Sequence, residues 1–243
     1  MLRKIFSIAS IALLLVGSGA LVGFTFEAES NATFSSLDVD VVEIDGVFFV
    51  DAESVRQAIL RRDSIVGSPI KDFSLQELKG WIKEIPAVDQ VNVYPGLDRT
   101  LRVDVTQRKP LARWHSTETG SAMYIDTKGD SLPLSPHYTA RVPVIHASNF
   151  ASAQHGFRLV ELTHEDPIWS AFIDQIEVNE AGELLIIPRI GAARIKVGNL
   201  DELNQQLDNL IVFYREQIAR GNLNAYKHID LSFEGQVVAQ RYY

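Results

Sequence analysis

The stretch FSLQELKGWIKEIPAVDQVNVYPGLDRTLRVDVTQRKPLARW, residues 73–114, carries the strongest structural signal in the chain. Ser74 and Glu77 have the spacing of a capping box, in which each side chain bonds the backbone N–H of the other, so a helix is predicted to begin there. Pro86 ends that helix. Its apolar side is formed by residues at helical spacing, namely Leu75, Leu78, Trp81, Ile82 and Ile85.

Two strands are predicted after this helix. Val91 and Val93 alternate with polar residues, and Tyr94-Pro95-Gly96 forms a turn. The next strand places Leu101, Val103 and Val105 on one face, because side chains alternate along a strand. These signals predict a half-buried antiparallel pair.

Upstream of the quoted stretch, the sequence predicts one more strand and one more helix. Val39, Val41 and Ile44 indicate a strand, and Asp51 can cap a helix from about Ala52 to Arg62. Residues 37–112 therefore predict the order β-α-α-β-β, a compact α+β unit with two helices on one face of a small sheet.

Downstream, residues 113–243 are predicted to be mainly antiparallel β structure. A hairpin is predicted over 123–134, a three-strand meander follows from Asp174, and a helix runs from Leu200 to Arg220. The chain closes on YKHIDLSFEGQVVAQRYY, residues 226–243, where Ile229, Leu231 and Phe233 alternate with polar residues and a second β-prone run covers 236–240.

The N-terminus predicts a membrane anchor. Arg3 and Lys4 precede residues 5–26, which are 22 residues without a charge. A helix of that length spans about 33 Å, against about 30 Å of bilayer hydrocarbon. The basic head favours a cytoplasmic N-terminus, with residues 27–243 on the other side. The alternative is a cleaved signal peptide with its small-residue site at Ser18-Gly19-Ala20.

The composition points away from several functions. The chain has 243 residues, a net charge of -8 and no cysteine, which argues against nucleic-acid binding and excludes disulfides and thiol catalysis. Four histidines, His137, His146, His155 and His164, recur every nine residues but lack the i, i+3/i+4 spacing of a shared metal site. We find no catalytic motif, so no catalytic, metal or cofactor-binding residues are predicted, and a binding or scaffolding role is favoured.

Several motifs resemble, in order, those of the bacterial cell-division family FtsQ/DivIB. Residues 73–114 resemble the POTRA domain of that family: a helix ending in a Pro-x-Val step, a V-x-V strand, a turn proline and the run Gln107-Arg108-Lys109-Pro110-Leu111-Ala112. The segments YIDTKGDSLPL, residues 124–134, and YKHIDLSFEGQVVAQR, residues 226–241, resemble the hairpin and the closing strands of the family's β domain.

The resemblance implies a fold and a domain order. The fold class is α+β, with a single N-terminal transmembrane helix, a POTRA domain, and a mainly antiparallel β domain that has a C-terminal helix and closing strands. The implied segments are a cytoplasmic head (1–4), the transmembrane helix (5–26), a linker (27–36), the POTRA domain (37–112) and the β domain (113–243).

The resemblance also implies a function: a non-enzymatic divisome scaffold of the inner membrane, located at the division septum. Such a protein binds FtsB- and FtsL-like membrane proteins through its extracytoplasmic β domain. It thereby links early division proteins to the FtsW- and FtsI-type synthases of septal peptidoglycan. No cofactor, nucleic acid or small-molecule substrate is expected.

In this family the last strand of the β domain is the expected contact with the FtsB-like partner, which joins it by strand addition. The last proline of the chain is Pro188, so nothing in 226–243 prevents pairing. The predicted partner-binding residues are Phe233, Gly235, Gln236, Val237, Val238 and Ala239. The alternative is that these strands only complete the core. A proline at whichever of Val237 or Val238 directs its N–H outward is predicted to abolish binding.

Two other classes remain open. A POTRA-bearing assembly or secretion factor of the outer membrane would carry a long C-terminal β-barrel, for which this chain ends too early. An envelope hydrolase or transferase would require a catalytic site that the sequence does not reveal.

Overall fold

The computed structural model describes residues 16–18, 32–42, 46, 49–62, 64–135 and 138–242. The chain forms two compact units: an N-terminal unit, residues 1–43 and 50–107, and a C-terminal unit, residues 44–49 and 108–243.

The regular elements are numbered here in chain order. The helices are α1 (Ala52–Arg62), α2 (Leu75–Lys83), α3 (Phe150–Thr163), α4 (Pro167–Phe172) and α5 (Leu203–Ala219), with 3₁₀ turns at Leu200–Glu202 and Leu223–Ala225. The strands are β1 (Ser36–Val42), β2 (Val88–Pro95), β3 (Thr100–Gln107), β4 (Pro110–Ser116), β5 (Ala122–Asp126), β6 (Ser131–Leu132), β7 (Val144–Ala147), β8 (Ile173–Val178), β9 (Leu184–Pro188), β10 (Arg194–Lys196), β11 (Tyr226–Asp230) and β12 (Val238–Arg241).

The N-terminal unit is a three-stranded sheet covered by α1 and α2. Its strand order is β1-β3-β2, with β1 parallel and β2 antiparallel to β3. The Ser74 hydroxyl accepts the Glu77 N–H at the start of α2, as the capping signal requires. The inward side chains of β3 are fully buried and pack with Val55, Ile59, Leu78 and Ile82 of the two helices. The assignment of this unit as a POTRA domain stays a prediction.

The C-terminal unit is built on a nine-stranded mixed sheet of order β12-β11-β10-β9-β8-β7-β4-β5-β6. The pairs β4–β7, β7–β8 and β10–β11 are parallel. Parallel neighbours need a long crossover connection, and the chain supplies one with α3 and α4 between β7 and β8, and another with α5 between β10 and β11. Alternate strand residues and one side of each helix form a single core.

A buried ion pair fixes the hairpin of β5 and β6. The Arg108 guanidinium donates to Asp126 Oδ2 at 2.8 Å, and Asp126 is 2% exposed. Asp126 Oδ1 accepts the backbone N–H groups of Lys128 and Asp130, each at 2.9 Å. The Asp126 carboxylate is thus occupied in closing the turn, and its hydrogen bonds offset the cost of its burial.

The predicted fold class is wrong about the membrane span and incomplete about the large sheet. Among the described residues that sheet is mixed, with five antiparallel and three parallel pairs of neighbouring strands, and the prediction did not include the parallel pairs. No helix within the described residues has both the length and the apolar composition needed to cross a bilayer. This finding corrects the predicted transmembrane helix and, with it, the single-pass localisation in the inner membrane with a periplasmic bulk.

Apart from Val16–Ser18, which are helical and exposed, the predicted span 5–26 lies outside the described residues. The same holds for the head 1–4 and for most of the alternative cleavage site.

Candidate partner-docking edge

Strand β12 forms one of the two edges of the nine-stranded sheet. In the part of the chain that the structure describes, β12 pairs with β11 alone. The opposite edge is β6, which has two residues and is followed by Pro133. A short edge next to a proline resists pairing with another chain, whereas β12 has four residues and no proline. Of the two edge strands, β12 is therefore the more accessible for pairing with a strand of another chain.

The backbone N–H groups of β12 alternate between β11 and the outside. Tyr242, just after the strand, donates its N–H to Ala225 O at 2.9 Å, so it faces β11. Because successive N–H groups of a strand point in opposite directions, Gln240 and Val238 also face β11, and Ala239 and Arg241 direct theirs outward.

The pairing on the other side of β11 agrees with this assignment. Leu231 donates its N–H to Lys196 O at 3.0 Å, so it faces β10, and by alternation the Asp230 N–H faces β12. Asp230 is the register partner of Val238, and two residues that exchange hydrogen bonds must both face inward. Two independent bonds thus give the same result: Ala239 and Arg241 carry the outward N–H groups.

Of the six predicted partner-binding residues, Val238 and Ala239 lie in β12. Val238 is 45% exposed, while Ala239 packs partly against the core and pairs with Ile229. Val237 precedes the strand and also packs against the core. The proline test suggested by the sequence therefore moves to Ala239, because Val238 uses its N–H inside the sheet and Val237 lies before the first residue of the strand.

The other three predicted residues, Phe233, Gly235 and Gln236, form the connection between β11 and β12. Asp230 Oδ1 accepts the Ser232 N–H at 2.8 Å, which bends the chain out of the sheet before Phe233. Phe233 is 51% exposed, and its carbonyl accepts the Gln236 N–H at 3.2 Å. Gly235 has φ +64°, a left-handed conformation that favours glycine. Phe233 is thus an exposed loop aromatic beside the edge and not a strand residue.

The sequence prediction missed the far end of the edge. Strand β12 continues to Arg241, and the exposed Tyr242 follows it. The Arg241 guanidinium lies 5.3 Å from the ring centroid of Tyr226 and donates to its hydroxyl at 3.3 Å. Tyr226 donates in turn to Gln217 of α5 at 3.1 Å. The β-prone composition of the last residues was the available signal, but the anchoring through Tyr226 requires the fold.

The resolved electrostatic shifts near this edge belong to a surface ion pair. A hydrogen bond from Lys196 lowers the pKa of the Glu183 carboxyl, and the same contact raises the pKa of Lys196. Both groups are exposed and therefore solvated. Among the described residues there is no group of three or more His, Asp or Glu side chains arranged to hold a metal ion.

The histidine series is divided among separate elements. His146 lies in β7 and contacts His115 of β4, His155 lies in α3, and His164 caps the end of that helix. His137 lies outside the described residues.

Comparison with known protein families gives a match over more than half of the chain. Residues 109–240 match the sequence profile of a family described as FtsQ/DivIB, C-terminal related. The matched segment runs from β4 into β12, so it contains nearly the whole nine-stranded sheet. No significant match was found among curated proteins.

Proposed function

The chain belongs to the FtsQ/DivIB, C-terminal related family, whose members have a role in cell division, and we propose that it acts there as a non-enzymatic scaffold. A scaffold holds its partners through docking surfaces. The proposed docking surface is the outer edge of β12 with its preceding loop.

Strand addition gives a physical account of how this edge binds. The outward N–H groups of Ala239 and Arg241, and the carbonyls that alternate with them, are a hydrogen-bonding template for an extended segment. A guest strand satisfies these groups, and its alternate side chains meet Val238 on one side of the sheet. Phe233 adds an exposed aromatic beside the edge, and aromatic residues are enriched at binding hot spots.

The proposed guest is a segment of an FtsB-like division protein, with an FtsL-like protein in the same complex. Through these two the chain is proposed to act indirectly on FtsW- and FtsI-type synthases of septal peptidoglycan. The family membership supports interactions within the division machinery. The single observation that carries the docking mode is the outward direction of the Ala239 and Arg241 N–H groups.

A pair of proline variants tests the docking mode. Ala239→Pro removes an outward N–H and leaves the bonds to β11 in place, since proline is tolerated on edge strands. Gln240→Pro removes an inward N–H and should disrupt the β11–β12 pairing itself. For the full chain, calorimetry with a peptide from an FtsB-like protein should show binding weakened at least about tenfold by Ala239→Pro, equivalent to about 1.4 kcal/mol.

Circular dichroism and thermal unfolding serve as the folding control. Ala239→Pro should unfold like the wild type, and Gln240→Pro should unfold at a lower temperature. If Ala239→Pro binds the peptide as tightly as the wild type, strand addition at β12 is incorrect.

A further inference from the structure

Two histidines lie side by side on the face of the nine-stranded sheet that is opposite the C-terminal core. His115 of β4 and His146 of β7 are register partners in a parallel pair, so their side chains leave the sheet on the same face. Their neighbours along the strands, Trp114 and Ile145, point the other way into the core. The two ring centroids are 5.4 Å apart, with an angle of 63° between the ring planes. Both histidines are only partly buried, so solvent reaches them.

A hydrogen bond fixes which ring nitrogen of His146 carries the proton. Nε2 of His146 lies 2.9 Å from Oε1 of Gln175 on β8. An amide oxygen can only accept a hydrogen bond, so Nε2 donates and Nδ1 keeps its lone pair. The Gln175 amide is oriented in turn by Asp174, whose Oδ2 accepts a hydrogen bond from its Nε2 at 3.4 Å. A histidine that binds a metal is usually held in this way, with its other ring nitrogen donating to an oxygen.

The other histidine has a ring nitrogen without a partner. Among the described residues, Nδ1 of His115 is buried and has no hydrogen-bond partner. A buried nitrogen of this kind loses its water without gaining another contact, which disfavours folding. Imidazole nitrogen is a preferred ligand of zinc, copper and nickel, so such an ion would supply the missing contact.

We propose that His115 and His146 together bind one divalent transition-metal ion, for which zinc is the reference. Zinc binds imidazole nitrogen at about 2.1 Å with tetrahedral angles, which places the centroids of two ligating rings about 5 Å apart. The observed 5.4 Å is close to that separation, so the strands need not move. The χ2 torsion of histidine is broad, which allows the His115 ring to turn towards the ion. Water completes the coordination.

The charged groups around the pair do not add a third protein ligand. Glu177 is the register partner of His146 on β8, but its carboxylate lies 3.3 Å from the Arg194 guanidinium. Arg113 precedes His115 by two residues and therefore shares its face. The negative charge of Glu177 favours a bound cation, and the positive charge of Arg113 opposes it. The site is separate from β12, so its failure would leave the strand-addition proposal unaffected.

Zinc titration of the full chain tests the site. By calorimetry the wild type should bind one Zn²⁺ per chain, and its melting temperature should rise with the zinc concentration, because the ion binds the folded state. Mg²⁺ prefers oxygen ligands and should have neither effect. His115→Ala and His146→Ala should each weaken zinc binding at least about tenfold, because each leaves a single ligand.

His228→Ala is the matched control. His228 lies in β11 on the same face of the sheet, because it alternates with the core residue Ile229, and its register partners are Arg194 and Gln240. A lone histidine cannot form the proposed site, so this variant should bind zinc like the wild type.

Gln175 should act as a positioning residue for His146. Gln175→Ala removes the oxygen that holds the ring and should weaken zinc binding about tenfold, whereas Gln175→Glu retains an acceptor and should bind at least as tightly as the wild type. Nuclear magnetic resonance of the wild type adds a measurement that needs no variant. Zinc should shift the ring ¹⁵N resonances of two of the six histidines.

Each measurement can overturn the proposal. A wild type without saturable zinc binding below about 1 mM contradicts it, as does zinc binding that stays unchanged in either His115→Ala or His146→Ala. An equal loss in His228→Ala would mean that the ion binds elsewhere, and a resonance shift for one histidine alone would contradict a shared ion. Circular dichroism of every variant separates loss of binding from loss of fold.

Discussion

Tyr214 is a buried tyrosine whose hydroxyl lacks a hydrogen-bond partner among the described residues. It lies near Gly191 and Leu223, and burial raises its pKa to about 12 from the ordinary value of 10. An unpaired buried hydroxyl costs about 1–3 kcal/mol, because it loses water without gaining a partner. Tyr214 therefore packs as an aromatic ring, and its hydroxyl opposes folding.

Replacing Tyr214 with phenylalanine should change the alkaline stability of the protein. Because the pKa is higher in the folded state, the unfolded chain ionises first, and the stability present below pH 10 is lost as the pH rises towards 12. Tyr214→Phe removes this contribution. Urea unfolding should show the variant to be at least as stable as the wild type at about pH 7. Between about pH 10 and 11 the variant should lose less unfolding free energy than the wild type does.

The exposed Tyr242 provides the control. Tyr242→Phe removes a phenol that solvent already reaches, so the pH dependence of stability should stay that of the wild type. A Tyr214→Phe protein that is clearly less stable than the wild type at neutral pH would mean that the hydroxyl has a favourable partner.

At the residue scale, sequence reasoning succeeded where the determinants are local. The capping box of Ser74 and Glu77 is complete within four residues, and the structure contains its Ser74 bond. Tyr214 lies within the helix predicted from Leu200 to Arg220, but the sequence does not reveal its unpaired hydroxyl. That property depends on Gly191 and Leu223, which the fold brings together from different parts of the chain.

Helix α3 packs closely on the sheet at Gly156. A Cβ atom at this position would lie 2.8 Å from Ile145 Cγ2 and 3.1 Å from Val178 Cγ2. Gly80 of α2 differs, because a Cβ there meets nothing within 4 Å. The two glycines are therefore a matched pair of helical sites, one in contact with a sheet and one open.

Alanine substitution should affect these two glycines in opposite directions. Gly80→Ala should stabilise the protein by about 0.5–1 kcal/mol, because alanine has the higher helix propensity. Gly156→Ala gains the same propensity but must push the helix from the sheet, at a cost of about 1–3 kcal/mol. Denaturant unfolding should therefore show Gly156→Ala to be less stable than the wild type. Equal stabilisation by both substitutions would mean that α3 does not lie this close to β7 and β8.

At the element scale, the sequence indicated the meander of β8, β9 and β10 but missed much of the segment before it. No strand is predicted for β7, which begins directly after Pro143. Pro167 is the first residue of α4, capped by Asp166, because proline is well tolerated at the first position of a helix. The period of a strand does not reveal whether its neighbour is parallel, so the mixed sheet could not be read from periodicity.

For the whole molecule, the strand order decides which backbone groups remain available. The sequence placed the docking residues at 233–239, within the chain's last β-prone segment. The sheet shifts the usable edge to 238–241, because Asp230 and Ser232 turn the chain before Phe233 and because β12 reaches Arg241. Neither the edge position of β12 nor the direction of its N–H groups is a local property. Both follow from the pairing of nine strands drawn from more than a hundred residues.

Amide hydrogen exchange of the four β12 residues, with and without a peptide from an FtsB-like protein, tests strand addition most directly. In the free chain, Val238 and Gln240 should exchange slowly, because they bond β11, while Ala239 and Arg241 should exchange fast. On binding, Ala239 and Arg241 should become protected and the other two should change little. A bound peptide that leaves Ala239 and Arg241 exchanging as fast as before would contradict docking at this edge.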